Sequence, residues 1–442
     1  MPEQSSISLT RRTVAIETHG CKLNQADSDV LLRRFLEAGF RIVGTEDGPD
    51  VYVLNSCTVT HVADAKARNA LRAARRINPL TTVVATGCYV QRRFDEVKNI
   101  PGVDLVGGNF DKHRLVEQIL EKFQNESPKS DPYNLATGPL NGFQRTRAMV
   151  KIQEGCNQIC SYCIVPKVRG REHSIPLRSL VDQVRTCVGE GFKEVVLTGT
   201  QLGSYGYDIP GTNLINLIEN LLQQTNLERL RVSSLQPQEI TPELLSLWKN
   251  PRLCPHFHIP LQSGSDVVLK DMRRRYTTEI YDRRVKEIYQ FLPGASVTAD
   301  LIVGFPTEGK GEFEESYRFC EGLNLANIHV FPYSVRPGTT AAHVASKQNS
   351  IERRDRTKTM LSLASRKASD FRKKSFGSIH TVLWEKSDRS RDKAYIGLTD
   401  NYLRVRCVWP DNLTNKTTLA RLGVEEGRAI NCEVIPPKVD SG

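Results

Sequence analysis

Three cysteines, Cys156, Cys160 and Cys163, lie within one short stretch and follow the spacing C-x3-C-x2-C. Three thiolates on a tight loop can bind three irons of a [4Fe–4S] cluster, and the fourth iron then stays open to a small chelating molecule. A zinc site is the alternative, but zinc prefers four protein ligands and would need His173 or a more distant residue. Three unrelated buried cysteines are a third interpretation. The spacing favours the iron–sulfur cluster.

Three further cysteines stand in equivalent places in the first third of the chain. Cys21, Cys57 and Cys88 each follow closely after a predicted strand, and predicted helices separate these strands. Strands that alternate with helices indicate an open parallel sheet, whose strand ends share one edge where ligands bind. One cysteine in such a place can be a small core residue, but three such placements predict a second metal cluster. The predicted strands are 13–18, 50–55, 81–86 and 103–106, and the helices are 27–38, 64–77 and 112–123.

A second alternation of strands and helices surrounds the first cysteine stretch. Its six predicted strands indicate a partial (β/α)6 barrel, in which loops after the strands build the site. Polar or glycine-rich residues follow these strands, as a cofactor pocket requires, although each one alone is typical of an ordinary turn. The predicted strands are 149–153, 194–198, 230–234, 256–260, 297–303 and 328–331. The expected cofactor-binding residues are Gly199, Thr200, Gln201, Ser233, Ser234, Gln262 and Asp300.

The charge of the chain indicates a kind of partner, and its composition argues against a disulfide-rich, secreted or membrane-spanning protein. The net charge of +11 over 442 residues favours a polyanionic partner. Eleven cysteines are too few for a disulfide scaffold in a chain of this length. The polar start lacks the apolar core of a signal peptide, and no apolar run approaches the ~20 residues of a membrane span. We expect a cytoplasmic protein without membrane contact.

The last part of the chain changes from helical to β pattern. A helix is predicted over 352–374 with nine lysines or arginines against three acids. Predicted strands follow at 379–384, 394–398, 402–408 and 429–435, which indicate a small antiparallel barrel. Tyr402, Arg404 and Arg406 alternate along one strand face and suit a single-stranded or loop RNA. Ordinary barrel surface is the alternative for these residues. The predicted helix 64–77 carries Arg68, Arg72 and Arg75 or Arg76 on one face, which is either a phosphate-binding stripe or a solvated face.

The α/β fold is therefore expected to have several domains. An open parallel α/β domain occupies 1–125 and a linker 126–143. The partial barrel occupies 144–350, a basic helical connector 351–375, and the β-barrel 376–442.

The chain resembles the radical S-adenosylmethionine (radical SAM) methylthiotransferases over nearly its whole length. Both cysteine triads carry the resemblance, together with the other matching stretches. These stretches are 19–25, 55–60, 86–88, 155–171, 260–265, 300–308 and 333–339. The β tail resembles the RNA-binding TRAM domain of that family.

The resemblance implies two [4Fe–4S] clusters and SAM as cofactors. Cys156, Cys160 and Cys163 would hold the cluster that cleaves SAM, and Cys21, Cys57 and Cys88 an auxiliary cluster linked to sulfur supply. One SAM would donate a methyl group, and another would be cleaved reductively to a 5′-deoxyadenosyl radical that activates a C–H carbon. A reducing electron donor such as flavodoxin or ferredoxin is implied, and the sulfur donor is left open.

The stretch around Cys21 and Cys57 is most similar to the branch that modifies N6-threonylcarbamoyladenosine in tRNA. The resemblance then implies methylthiolation at C2 of that nucleoside, with the tRNA anticodon stem-loop as partner. The rival branches act on isopentenyladenosine in tRNA or on a ribosomal protein. A rival from another class is an RNA-binding protein whose metal sites are structural.

Overall fold

The computed structural model describes residues 12–124, 146–387 and 393–436. The predicted linker 126–143 lies outside these residues. No helix in the described ranges combines the length and apolar composition needed to cross a membrane.

The first part of the chain is a five-stranded parallel sheet with strand order β2-β1-β3-β4-β5. Buried aliphatic residues fill β3 and β4, as expected for strands covered on both faces. The strands are β1 (Thr13–Thr18), β2 (Arg41–Ile42), β3 (Val51–Ser56), β4 (Thr82–Gly87) and β5 (Leu105–Gly107). The helices are α1 (Lys22–Glu37), α2 (His61–Ala73), α3 (Cys88–Arg92), α4 (Phe94–Lys98) and α5 (Leu115–Gln124).

Helix α1 begins five residues before the predicted start at 27. Cys21 is its N-cap, with extended backbone, and the first turn buries Leu23 and Asn24. The predicted start followed the apolar spacing that begins at Val30, but that side chain is 44% exposed. The true buried face includes polar residues, so apolar periodicity placed the helix start too late.

The second part is the predicted partial barrel of six parallel strands. Two three-stranded sheets, β10-β9-β6 and β11-β12-β13, are joined by isolated bridges such as Ser234 to His258. The barrel strands are β6 (Arg147–Lys151), β9 (Glu194–Thr198), β10 (Arg229–Val232), β11 (His256–His258), β12 (Ser296–Val303) and β13 (Asn327–Pro332). A small antiparallel pair, β7 (Gln153–Glu154) and β8 (His173–Ser174), frames the cysteine loop.

Helices cover the outside of the barrel and share its largest apolar core. They are α7 (Leu177–Gly189), α8 (Leu214–Gln224), α9 (Pro242–Ser246), α10 (Asp266–Asp271), α11 (Thr278–Phe291), α12 (Lys310–Gly322) and α13 (Ser350–Lys374). The short helix α6 (Val165–Arg169) follows the cysteine loop and packs against Cys88 instead. Several basic residues of α13 bind the protein itself: Arg356 bonds with Glu308, Arg366 with Glu321 and Arg372 with Glu425.

The tail is a closed five-stranded barrel around the buried Trp384. Its strands are β14 (Ile379–Ser387), β15 (Ala394–Thr399), β16 (Arg404–Val408), β17 (Thr417–Glu426) and β18 (Ala429–Ile435). Strand β17 was not predicted, because charged residues and a register shift interrupt its alternation. β16 pairs with β18 in parallel, so the barrel is not wholly antiparallel.

Tyr402 is not on a strand face with Arg404 and Arg406, and this prediction was wrong. Its φ of 74° places it in the turn before β16. Its ring stacks on His256 at a centroid distance of 4.2 Å. Tyr402 therefore joins the tail to the central barrel, while Arg404 stays exposed.

Candidate iron–sulfur and cofactor site

Cys21, Cys57 and Cys88 meet at one edge of the first sheet. β1, β3 and β4 are neighbours, and Ser56 pairs with Gly87, so Cys57 and Cys88 directly follow paired residues. Gly20 has a φ of 106°, and a Cβ there would lie 2.7 Å from the Cβ of Cys57. This glycine allows the first loop to fold back against Cys57. The sheet thus places three thiols where an auxiliary cluster would need them.

Two asparagine side chains brace these loops, and sequence reasoning gave neither of them a role. Asn24 donates to the carbonyl of His19 at 2.7 Å and to that of Ser56 at 3.0 Å. The amide nitrogen of Asn109 lies 3.4 Å from the Cys88 sulfur. Amide hydrogen bonds to cysteine sulfur are among the means by which proteins adjust cluster potentials. Asn24 was visible within the matching stretch 19–25, whereas Asn109 had no sequence signal.

The second triad lies on one loop held by backbone contacts. Gly155 has a φ of 77°, and a Cβ there would lie 1.9 Å from the carbonyl oxygen of Arg171. Cys156 donates its N–H to the carbonyl of Gly170, and Cys163 donates to that of Cys160, each at 3.1 Å. The loop is therefore closed by β7, β8 and its own turn before any metal binds. His173, the extra ligand that a zinc site would need, has a side chain that is 77% exposed and faces Asp208.

Burial disfavours the thiolate form of three of these cysteines, Cys57, Cys156 and Cys163. Burial raises the pKa of Cys57 to about 12, that of Cys156 to about 11 and that of Cys163 to about 12. Iron binds thiolate, so assembling clusters here must release protons.

Arg274 is the charged group nearest the Cys160 sulfur, and the sequence gave no sign of this. Its Nη1 lies 3.2 Å from that sulfur, and its Nη2 donates to Gln236 at 2.7 Å. Gln236 then donates to the predicted residue Gln201 at 2.7 Å, and Gln201 donates to Glu239. Burial raises the pKa of Glu239 to about 7. A polar network therefore runs from the cysteine loop to the ends of β9 and β10.

The structure distributes the predicted cofactor-binding residues unevenly. The N–H groups of Thr200 and Gln201 donate to the side chain of Gln153 at 3.0 and 2.9 Å. The close approach at Gly199 is also made by Gln153, whose carbonyl oxygen would lie 3.0 Å from an added Cβ. The hydroxyl of Thr200 is buried without a hydrogen-bond partner among the described residues.

The remaining predicted residues follow β10, β11 and β12. Ser233 is buried, and Ser234 bridges to His258. Gln262 has a φ of 67° and donates its N–H to the carbonyl of Asp300 at 2.8 Å. The Asp300 carboxylate accepts from His258 at 3.2 Å. Whether these residues bind SAM stays a prediction.

Helix α6 joins the two triads. It follows Cys163 directly, and its Val168 packs with Ile164 against Cys88. Asn109 donates to the carbonyl of Val168 at 2.8 Å, and Arg169 donates to Asn24. One short helix thus contacts both cysteine sites.

Asp27 is the centre of a buried ion cluster beside this helix. Its carboxylate lies 2.7 Å from the Lys151 nitrogen, 2.9 Å from that of Lys112 and 3.1 Å from a guanidinium nitrogen of Arg169. Burial alone would raise the pKa of Asp27, but these three cations hold it well below its usual range. The cluster ties α1, β6 and α6 together.

Asp27→Asn is expected to lower the free energy of unfolding by about 3 kcal/mol, because it leaves buried cations without their counter-charge. Denaturant titration of the metal-free protein measures this loss. The matched control is Asp182→Asn in the exposed pair with Arg185, which should change stability by less than about 0.5 kcal/mol. Equal stability of the two variants would contradict the structural role of Asp27.

A second buried ion cluster ties the end of the barrel to the Cys57 loop. Arg336 is 2% exposed and bonds with Asp64 at 2.8 Å and with the carbonyl of Thr58 at 3.2 Å. Arg92 bonds with the same Asp64 carboxylate at 2.7 Å. Thr58 and Arg336 lie in matching stretches of sequence, and this contact gives both residues a role.

Two family models match the parts of the chain that hold the cysteine triads. Residues 13–108 match a family described as "Uncharacterized protein family UPF0004", and residues 150–320 match the radical SAM superfamily. A "Threonylcarbamoyladenosine tRNA methylthiotransferase MtaB" of Aquifex aeolicus is 39% identical over 89% of this chain and 96% of its own length. The MtaB protein of Bacillus subtilis is 36% identical over 89% and 90%.

A more distant relative is a "tRNA-2-methylthio-N(6)-dimethylallyladenosine synthase" of Pelotomaculum thermopropionicum, 31% identical over 85% of this chain and 87% of its own. Among solved structures, the radical SAM methyltransferase TsrM of Kitasatospora setae has a TM-score of 0.56 at 15% identity. That match covers 75% of this chain and 77% of TsrM and supports the fold alone. From its two cysteine triads, its fold and its MtaB relatives, the chain belongs to the radical SAM methylthiotransferase family.

Proposed function

We propose that this chain is a tRNA methylthiotransferase that adds a methylthio group at C2 of N6-threonylcarbamoyladenosine beside the anticodon. The arrangement of two cysteine triads on either side of α6 carries the proposal, because it supports both a SAM-cleaving and a sulfur-supplying cluster. The MtaB relatives are 33–39% identical to this chain, whereas the relatives named as dimethylallyladenosine enzymes are 31–32% identical. This difference supports threonylcarbamoyladenosine as the substrate nucleoside.

The residues present suit the implied cofactors. Each triad offers three thiols, which leaves one iron of a [4Fe–4S] cluster open, and the unpartnered Thr200 hydroxyl offers a polar contact beyond the second triad. When bound, the clusters and SAM supply one-electron reduction, hydrogen-atom abstraction and the methylthio group.

The chain's own residues position these groups and adjust their charge. Arg274 donates to the Cys160 sulfur and Asn109 donates to that of Cys88, so each triad has a side-chain donor that favours the more negative state of its cluster. The ion clusters around Asp27 and Arg336 fix the loops of the two triads relative to each other. The protein thus supplies position and electrostatics.

The partner is tRNA, and its contact surface is proposed on charge. The net charge of +11, the exposed Arg404 and the exposed lysines and arginines of α13 suit a phosphate backbone. We propose that the protein binds the anticodon stem-loop of the tRNA. An electron donor such as flavodoxin or ferredoxin and a cytoplasmic location are also part of the proposal.

The proposal is tested with the full-length protein reconstituted anaerobically with iron and sulfide. It is incubated with SAM, reductant and one of two anticodon stem-loops, which carry threonylcarbamoyladenosine or isopentenyladenosine at the same position. Mass spectrometry of the nucleosides should find the methylthio product in the first RNA. Product only in the second RNA, or none in either together with no 5′-deoxyadenosine, would overturn the proposal.

A further inference from the structure

A cluster of polar side chains lines the inner face of the central barrel on β11, β12 and β13. His258 on β11 bonds with Thr298 at 3.0 Å and with Asp300 at 3.2 Å, both on β12. The ring of His329 on β13 lies 5.8 Å from that of His258. One donor atom each from His258, Asp300 and His329 lies within 4.8 Å of the others. This wall offers hydrogen bonds and charge where an apolar ligand would find no apolar surface.

Helix α1 of the first domain packs against the other three-stranded sheet of the barrel. Its Ala26 packs against Met149 of β6 and Val196 of β9 on the inner face of the barrel. At the start of this helix, the Lys22 ammonium lies 5.7 Å from the centre of the Tyr402 ring, which stacks on His256. Lys22 directly follows Cys21 in the chain, and its side chain extends into the barrel.

Lys22 is a cation without an anionic partner. Two arginines near the same tyrosine ring are neutralised: Arg231 pairs with Glu194 at 2.7 Å and Arg147 with Glu385 at 2.8 Å. The Lys22 ammonium makes no hydrogen bond or ion pair with any residue in the described part of the chain. A partly buried ammonium in this state is costly, and an anionic ligand group would relieve that cost.

A chain of contacts links Lys22, Asp300 and the Cys160 loop. His256, on which Tyr402 stacks, and His258 both contact the Thr298 hydroxyl, at 3.2 and 3.0 Å. On the other side, the Tyr276 hydroxyl donates to the carbonyl of Leu261, next to Gln262, whose N–H donates to Asp300. Arg274 donates to the same hydroxyl at 3.1 Å and lies 3.2 Å from the Cys160 sulfur. A divalent cation at the histidines would be repelled by Lys22, whereas an anion would be attracted.

We propose that Lys22 binds the carboxylate of the amino-acid group on the substrate nucleoside, while Asp300 and His329 bind its hydroxyl and N–H groups. The inference rests on the proposed function, because the threonylcarbamoyl group of that nucleoside carries one carboxylate, one hydroxyl and urea N–H groups. An isopentenyl group has none of these.

The test compares the affinities of the reconstituted full-length protein for two anticodon stem-loops. One carries threonylcarbamoyladenosine, and the other carries the same nucleoside with its carboxylate converted to the neutral carboxamide. A hydrogen bond to a charged group predicts roughly 10- to 100-fold tighter binding of the carboxylate. Lys22→Gln should remove this preference, and Lys22→Arg should restore most of it. Proteins are compared at equal iron content, because Lys22 adjoins Cys21.

The control is Lys193→Gln, which removes a lysine paired with Glu228 at the surface and should keep the preference. If Lys22→Gln keeps the preference, or lowers the affinity for both RNAs equally, the inference is wrong. A wild-type protein that methylthiolates threonylcarbamoyladenosine but binds both RNAs alike overturns the inference and leaves the proposed function standing. Methylthiolation of isopentenyladenosine alone would overturn both.

Discussion

Replacing Cys160 with alanine is expected to abolish the formation of 5′-deoxyadenosine from SAM. Two of three thiols would remain on the loop, too few to hold a cubane cluster with a single open iron. The guanidinium of Arg274, which now lies 3.2 Å from the Cys160 sulfur, would also lose that contact. The assay is chromatographic detection of 5′-deoxyadenosine under reductant, together with an iron count.

Cys187→Ala is the matched control for this loss. Cys187 is buried on α7 in the apolar core of the barrel and belongs to neither triad. The control should keep both its iron content and SAM cleavage. Wild-type levels of cleavage in Cys160→Ala would contradict the assignment of this loop.

Replacing Cys57 with alanine should stop sulfur insertion and leave SAM cleavage partly intact. Cys57 lies on the first sheet, next to Gly20 and Cys88, whereas the SAM-cleaving triad is on the separate loop after β7. Loss of the auxiliary cluster therefore removes the expected sulfur supply without removing the ligands of the other cluster. The measurement follows 5′-deoxyadenosine and methylthio nucleoside in the same reaction.

Cys21→Ala should give the same separation of activities, because it removes another ligand of the same set. Cys88→Ala should lower cleavage further, since Cys88 packs against Ile164 and Val168 beside the second loop. Equal loss of cleavage and insertion in both Cys57→Ala and Cys21→Ala would argue against the division of labour between the triads.

The sequence predicted those parts of the fold that local pattern determines. The strand ends before Cys57 and Cys88 could be read from aliphatic runs followed by turns, and parallel pairing then placed the cysteines together. Strand β17 and the start of α1 were missed, because charged or polar residues interrupt their apolar spacing. Tyr402 was misplaced, since its contact with His256 comes from another domain.

The charged residues around the site could not be predicted from one sequence. Arg274 and Cys160 are 114 residues apart, and Arg169 and Asp27 are 142 apart. An arginine that will pair inside the protein looks, in sequence, like one that faces solvent. Arg68 is an example, because it donates to the hydroxyl of Tyr89 at 3.0 Å. Such groups meet only when distant elements pack together, as α1 and α6 do for Asp27 and Arg169.

The most direct test of the account is the nucleoside content of tRNA from the host with and without this gene. We predict that 2-methylthio-N6-threonylcarbamoyladenosine disappears when the gene is deleted and that its unthiolated precursor accumulates. The methylthio derivative of isopentenyladenosine should stay unchanged. Loss of that derivative instead, or an unchanged tRNA nucleoside profile, would contradict the account.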